Sequence, residues 1–140
     1  MGGRFVTAVV SASVLLALCA GCSSPDNKVA QKTARITVDN NSRTSHAVVC
    51  SQIQWLLTAD ITAAPARIHV LLKLDSEKPK LESVNIDNFA GFTGVADAGA
   101  GNATVVFAHN TYTIRGQAVG SQRGDPRVSV TTPFKIDVGC

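Results

Sequence analysis

The chain has 140 residues, of which 45% are apolar and 16% charged, with a formal net charge of +3. That length suits a single domain with one core, and the composition separates it from disordered chains. Its basic residues are scattered among acids and neutral residues, and aromatics reach only 5%. Neither the basic stripe nor the stacking platform of a nucleic-acid binder is present.

Residues 1–21 carry Arg4 as their single charge, followed by an uncharged, mainly apolar run from Phe5 to Leu18. This is the layout of a secretory signal, and the run is short for a retained membrane span. Leu18-Cys19-Ala20-Gly21-Cys22 resembles a bacterial lipobox, in which the last cysteine receives a diacylglyceryl group on sulfur and becomes the new N-terminus after cleavage. Cys22 matches that position, while Cys19 stands where the motif usually has Leu. Cys19 then leaves with the signal, so the Cys-x-x-Cys spacing forms neither a redox dithiol nor half a zinc site. Both would require folded, polar surroundings, and the redox motif an adjoining βαβ pattern. Each buried CH₂ of an acyl chain contributes about 0.8 kcal/mol, so two chains anchor stably where one is marginal. The mature protein is expected on the extracytoplasmic side of the cell membrane, held by lipid.

Residues 22–34 are polar and read as a flexible tether carrying the acylated Cys22. The folded domain is expected over 35–140. Its only thiols are Cys50 and Cys140, and export places them in an oxidising space, so a disulfide is expected. A reactive thiol, the alternative, would need a partner base and leave an odd cysteine.

Strict alternation marks half-buried antiparallel strands. Ile36-Thr37-Val38 opens the series. Ile53, Trp55, Leu57, Ala59 and Ile61 share one parity, as do Ile68, Val70, Leu72 and Leu74, set against Arg67, His69, Lys73 and Asp75. Val84-Asn85-Ile86 follows. Thr104–Phe107 and Tyr112–Ile114 flank Ala108–Thr111, where Asn110 tolerates a left-handed backbone, which predicts a hairpin. Val128, Val130, Thr132, Phe134, Ile136, Val138 and Cys140 also share a parity, which points Cys140 inward toward a buried disulfide. Pro133 in that run predicts an edge position or a bulge. No stretch shows a capped helical period. The fold class is all-β: an antiparallel sandwich or a strongly curved, partly closed sheet of about seven to eight strands.

Candidate chemistry is sparse. His46, His69 and His109 have no Cys, His or Asp at metal-ligand spacing, and no Gly-x-Ser-x-Gly turn offers a nucleophile. Gly99-Ala100-Gly101-Asn102 lacks the lysine and helix of a phosphate cradle and reads as a turn. No metal, cofactor or catalytic residue is expected. Leu56 and Leu71 fall on the polar faces of their strands, and Phe89 and Phe92 lie in a Gly-rich segment. These four either line a pocket or contact patch for an apolar ligand or partner, or fill a second core layer.

The lipobox with Ser23-Ser24, then Val48-Val49-Cys50, the run from Leu81 to Gly94, Gly101-Asn102-Ala103, Tyr112 to Gly120, and Pro133 to Cys140 come in a characteristic order. Across essentially its whole length the sequence resembles the mycobacterial 19 kDa lipoprotein antigen family. The resemblance implies an exported, acylated envelope protein that acts as an antigen and adhesin-like protein, whose lipidated N-terminus is sensed by Toll-like receptor 2. It implies no catalysis. Carried onto this chain, it makes Cys22 the acylated position and Cys50 with Cys140 the disulfide. The family's tether is rich in Thr, Ala and Gly and carries O-linked sugars, whereas here only Ser23, Ser24 and Thr33 offer hydroxyls. The alternative function is a carrier or chaperone of a hydrophobic envelope ligand such as a lipid, which would require an apolar cavity inside the sheet.

Overall fold

The computed structural model describes residues 28–140, so the signal segment and Cys22 lie outside the described residues. The described residues form β1 (Thr33–Val38), β2 (Asn41–Ser45), β3 (Ala47–Ile53), β4 (Leu56–Ala63), β5 (Ala66–Lys73), β6 (Lys80–Phe89), β7 (Phe92–Asp97), β8 (Asn102–Ala108), β9 (Thr111–Gln122) and β10 (Asp125–Gly139). All pairings are antiparallel, in one sheet of order β2-β1-β10-β9-β7-β6-β5-β4-β3, with β8 on β9. The two ends of that order, β2 and β3, are neighbours in sequence, parted by His46 alone. The sheet therefore curls until its ends meet, as a nearly closed barrel. One run of chain, 41–53, forms both margins of the seam.

Alternation explains which side is filled. Ile36 and Val38 of β1, Leu57 and Ile61 of β4, Ile68, Val70 and Leu72 of β5, and Ile114, Phe134, Ile136 and Val138 of β9 and β10 all point inward and are buried. Burying each such side chain contributes about 1.5–3 kcal/mol. Short turns join successive strands. His109 and Asn110 turn β8 into β9 with φ of 52° and 58°, the two left-handed residues of a tight hairpin. Ala90 and Gly91 do the same between β6 and β7, with φ of 49° and 86°. β9 is long because one of its edges serves two partners while β10 covers the other: Thr111–Gln117 pair with β8 and Val119–Gln122 with β7. A Cβ on Gly120 would fall on the Thr93 carbonyl of β7, so the strands approach there only because the side chain is absent.

Several expectations are corrected. There are ten strands among the described residues, not seven or eight. The parity run from Ile53 to Ile61 is broken by a turn at Gln54–Trp55, where Gln54 has φ of 53°. Ile53 and Trp55 are consequently 73% and 63% exposed instead of buried. β10 stops at Gly139, so Cys140 leaves the strand's alternation and is exposed, and its disulfide lies at the surface. Val128 is also exposed, on a part of β10 that extends past the end of β1. Pro133 sits where β1 has just ended, its carbonyl accepting from Asp39 N at 2.8 Å. The strand is locally an edge there, as proline requires. The domain also begins before residue 35: β1 opens at Thr33, and Val29 is 8% exposed.

Candidate functional site

One end of the barrel gathers most of the features that could act. The starts of β1 and β9 and the ends of β8 and β10 lie together there, because Thr33 pairs with Gly139, Val138 with Tyr112 and Tyr112 with Phe107. The β3–β4 turn joins them. Cys50 of β3 is bonded to Cys140, with a Cα–Cα distance of 5.7 Å across 90 residues of sequence, ordinary spacing for a disulfide. The bond fastens one margin of the seam to the end of β10. Beside it a half-open cleft of about 360 Å³ is lined by Leu57, Phe107, Tyr112 and the polar side chains of Gln31, Gln52 and Asn110. Phe107 and Tyr112 stack across the β8–β9 hairpin, ring centroids 4.4 Å apart. Burial raises the pKa of the Tyr112 phenol.

At this same end the first described residues cross the outer face of the sheet as a strap. Val29 N donates to Thr111 Oγ1 at 3.1 Å and Lys32 N to Gly139 O at 2.7 Å. A Cβ on Gly139 would strike the Ala30 carbonyl, so glycine is what lets the strap lie against β10. Close by are polar side chains that would otherwise meet water. Thr113 Oγ1 donates to Asp137 Oδ1 at 2.8 Å. Asp137 is 1% exposed; its Oδ2 makes no hydrogen bond of good geometry but lies 3.1 Å from the Lys135 ammonium. A buried carboxylate balanced this way is structural.

The opposite end is closed by packing. Phe89 and Phe92, 0% and 1% exposed, fill the core at the β6–β7 hairpin. Arg43 of β2 lies 5.3 Å above the Phe89 ring and donates from Nη1 to Ala63 O at 3.2 Å. It thereby ties β2 to the β4–β5 turn across the seam. The four apolar residues singled out from sequence do not meet. Leu56 and Leu71 are diagonal neighbours on the outer face of β4 and β5, since Leu56 faces Lys73 and Leu71 faces Thr58. Phe89 and Phe92 belong to the core at the other end.

The profile of the family described as Mycobacterium 19 kDa lipoprotein antigen matches residues 27–140. The chain belongs to that family. It is 33% identical over 141 residues to a probable lipoprotein LppE of Mycobacterium tuberculosis, covering 100% of both chains. It is 32% identical over 135 residues to a putative lipoprotein of Mycobacterium avium subsp. hominissuis, covering 96% of this chain and 94% of that one. Lipoprotein LpqH of Mycobacterium avium is 29% identical, with coverage of 95% and 94%. These relatives are named as lipoproteins and not as enzymes.

Within this lipoprotein fold the histidines are dispersed. His69 Nδ1 lies 2.6 Å from Asp60 Oδ1, both on the outer face of the β4–β5 hairpin and both well exposed. His46 shares a hydrogen bond of 3.2 Å with Thr33 Oγ1, and His109 sits in the β8–β9 turn. Among the described residues no three His, Cys, Asp or Glu side chains gather to hold a metal. Gly99 and Ala100 donate to Asp97 Oδ1 at 2.7 and 2.9 Å, so the glycine loop is a turn capped by its own aspartate. The His69–Asp60 pair, the Asp137 cluster and Arg43 were missed from sequence. Only the first had a signal: a tight turn at Ala64–Pro65 sets Asp60 opposite His69.

Proposed function

We propose that the chain is an acylated envelope lipoprotein, carrying its lipid on Cys22 and presenting the disulfide-closed β domain outside the cytoplasmic membrane. It acts as an antigen and adhesin-like surface protein, its lipidated N-terminus is sensed by Toll-like receptor 2, and it performs no catalysis. The observation that carries this reading is the strap: the chain enters the domain on the outer face at one end, six residues after Cys22. The anchor therefore has a direct route out of the fold. Of the tether hydroxyls, Thr33 is 8% exposed within β1, which leaves Ser23 and Ser24 as the acceptors for any sugar.

The carrier reading finds less support. The core face is occupied by packed side chains such as Phe89, Phe92 and Leu72, and the cleft beside the disulfide is half-open and flanked by amides. Acyl chains need a larger apolar enclosure.

The intact mass of protein extracted from native membranes, before and after reduction, tests the proposal. A species that begins at Cys22, is heavier by at least a diacylglyceryl group, and gains two hydrogens on reduction is expected. A chain that retains residues 1–21 or is cut elsewhere would refute it.

A further inference from the structure

We propose that the disulfide end of the barrel docks on the membrane that holds the lipid, with Ile53, Trp55, Leu56 and Phe107 entering the interface. This rests on the acylation of Cys22. From Cys22 to Lys28 the chain takes six Cα steps, so even fully extended it spans only about 20 Å. β9 alone has 12 residues, about 40 Å of strand, and runs from the anchored end to the far end. The strap residue Lys28 cannot leave the neighbourhood of the acylated cysteine, so the strap end is the one that lipid holds against the bilayer.

That end is also where the fold leaves large apolar groups in water. Ile53 is 73% exposed, Trp55 63%, Phe107 49% and Leu56 43%. All four lie at the β3–β4 and β8–β9 turns, and Gln52, Leu57 and Asn110 of the disulfide cleft link the two turns. Among the described residues the far end leaves one such group, Val128 of the β9–β10 hairpin at 50%, and no exposed aromatic ring. Tryptophan favours the membrane–water boundary, where its ring is apolar and its N–H stays wet. Lys73, Lys78 and Lys80 lie at the same end beside Asp75, Glu77 and Glu82. Their stems can cover apolar surface, but acids and lysines mix, so the contact is apolar in origin and only weakly dependent on salt.

Trp55 is the single tryptophan of the chain and reports its own depth. The full-length acylated protein would be reconstituted into phosphatidylcholine–phosphatidylglycerol vesicles with and without brominated acyl chains. Docking predicts a blue-shifted Trp55 emission that bromine roughly halves, at both low and high salt. Ile53→Asp with Phe107→Asp, both at exposed positions, should restore most of the emission while the protein still floats with the vesicles. A protein that carries the acyl mass and floats but shows unquenched Trp55 overturns the docking and leaves the anchor standing. A blue shift that grows with protein density without bromine quenching overturns it in favour of self-association. A protein without acyl mass that stays off the vesicles overturns the anchor, and the docking with it.

Discussion

The two ends of the barrel close the same seam by different physics. At the far end, Phe89 and Phe92 fill the interior and Arg43 bridges β2 to the β4–β5 turn. At the near end, aromatic groups remain in water and a covalent bond holds β3 to the last residue of the chain. A seam between strands that share no ladder must be held by side chains. Where large apolar residues point inward, packing suffices. Where they lie beyond the filled interior, at the turns of the open end, a cross-link takes that role.

The largest effect that tests this contrast comes from the near end. The pair Cys50→Ser and Cys140→Ser frees a loop of 90 residues, and the chain-entropy estimate places the loss at roughly 4–5 kcal/mol. Denaturant unfolding with and without reductant measures it, and the reduced wild type should match the variant. If the far end is held by packing alone, Phe89→Ala should cost about 3–5 kcal/mol and be insensitive to reductant. A redox-dependent cost there would mean that the two ends are not separate.

Arg43→Ala sharpens the same point with a smaller effect. It removes one charged donor and a cation–π contact at a half-buried site, about 1 kcal/mol in all. Faster hydrogen exchange should appear in β2 and at the β4–β5 turn and leave the disulfide end unchanged.

The smallest effect is alkaline and belongs to the near end. Burial raises the Tyr112 pKa above its ordinary value of 10.0, so the folded state keeps a proton that the unfolded chain releases. Tyr112 therefore contributes stability in full below the unfolded pKa and loses it as pH rises through the folded one. Tyr112 is the only tyrosine, so tyrosinate absorbance follows it directly. Tyr112→Phe should flatten stability over that window, and an unchanged slope would contradict the assignment.

How much was legible in the sequence depended on the neighbours of each strand. β5 and the C-terminal half of β10 have partners on both sides and a filled inner face, so their alternation is clean. β2, Asn-Ser-Arg-Thr-Ser, lies at the margin and buries only Ser45, so nothing apolar announced it. The turn at Gln54–Trp55 has no Gly, Asn or Pro. Trp55 continues the inward parity by coincidence, yet it stands in the turn and does not join the core. The acylation proposed for Cys22 falls outside the described residues and rests on the lipobox pattern.

By itself the sequence determined the all-β class, the lipoprotein family, the pairing of Cys50 with Cys140 and the His109–Asn110 hairpin. The class and the hairpin follow from composition, local backbone preference and period-two patterning, which act over a few residues, whereas the family follows from the order of motifs along the chain and the pairing from the two thiols of the folded part together with that resemblance. Only the tertiary structure decided that 41–53 forms both margins of one seam, that the disulfide lies at the surface, and that Phe89 and Phe92 part company with Leu56 and Leu71. Those outcomes depend on register and closure between distant strands, where a shift of one residue exchanges inside for outside.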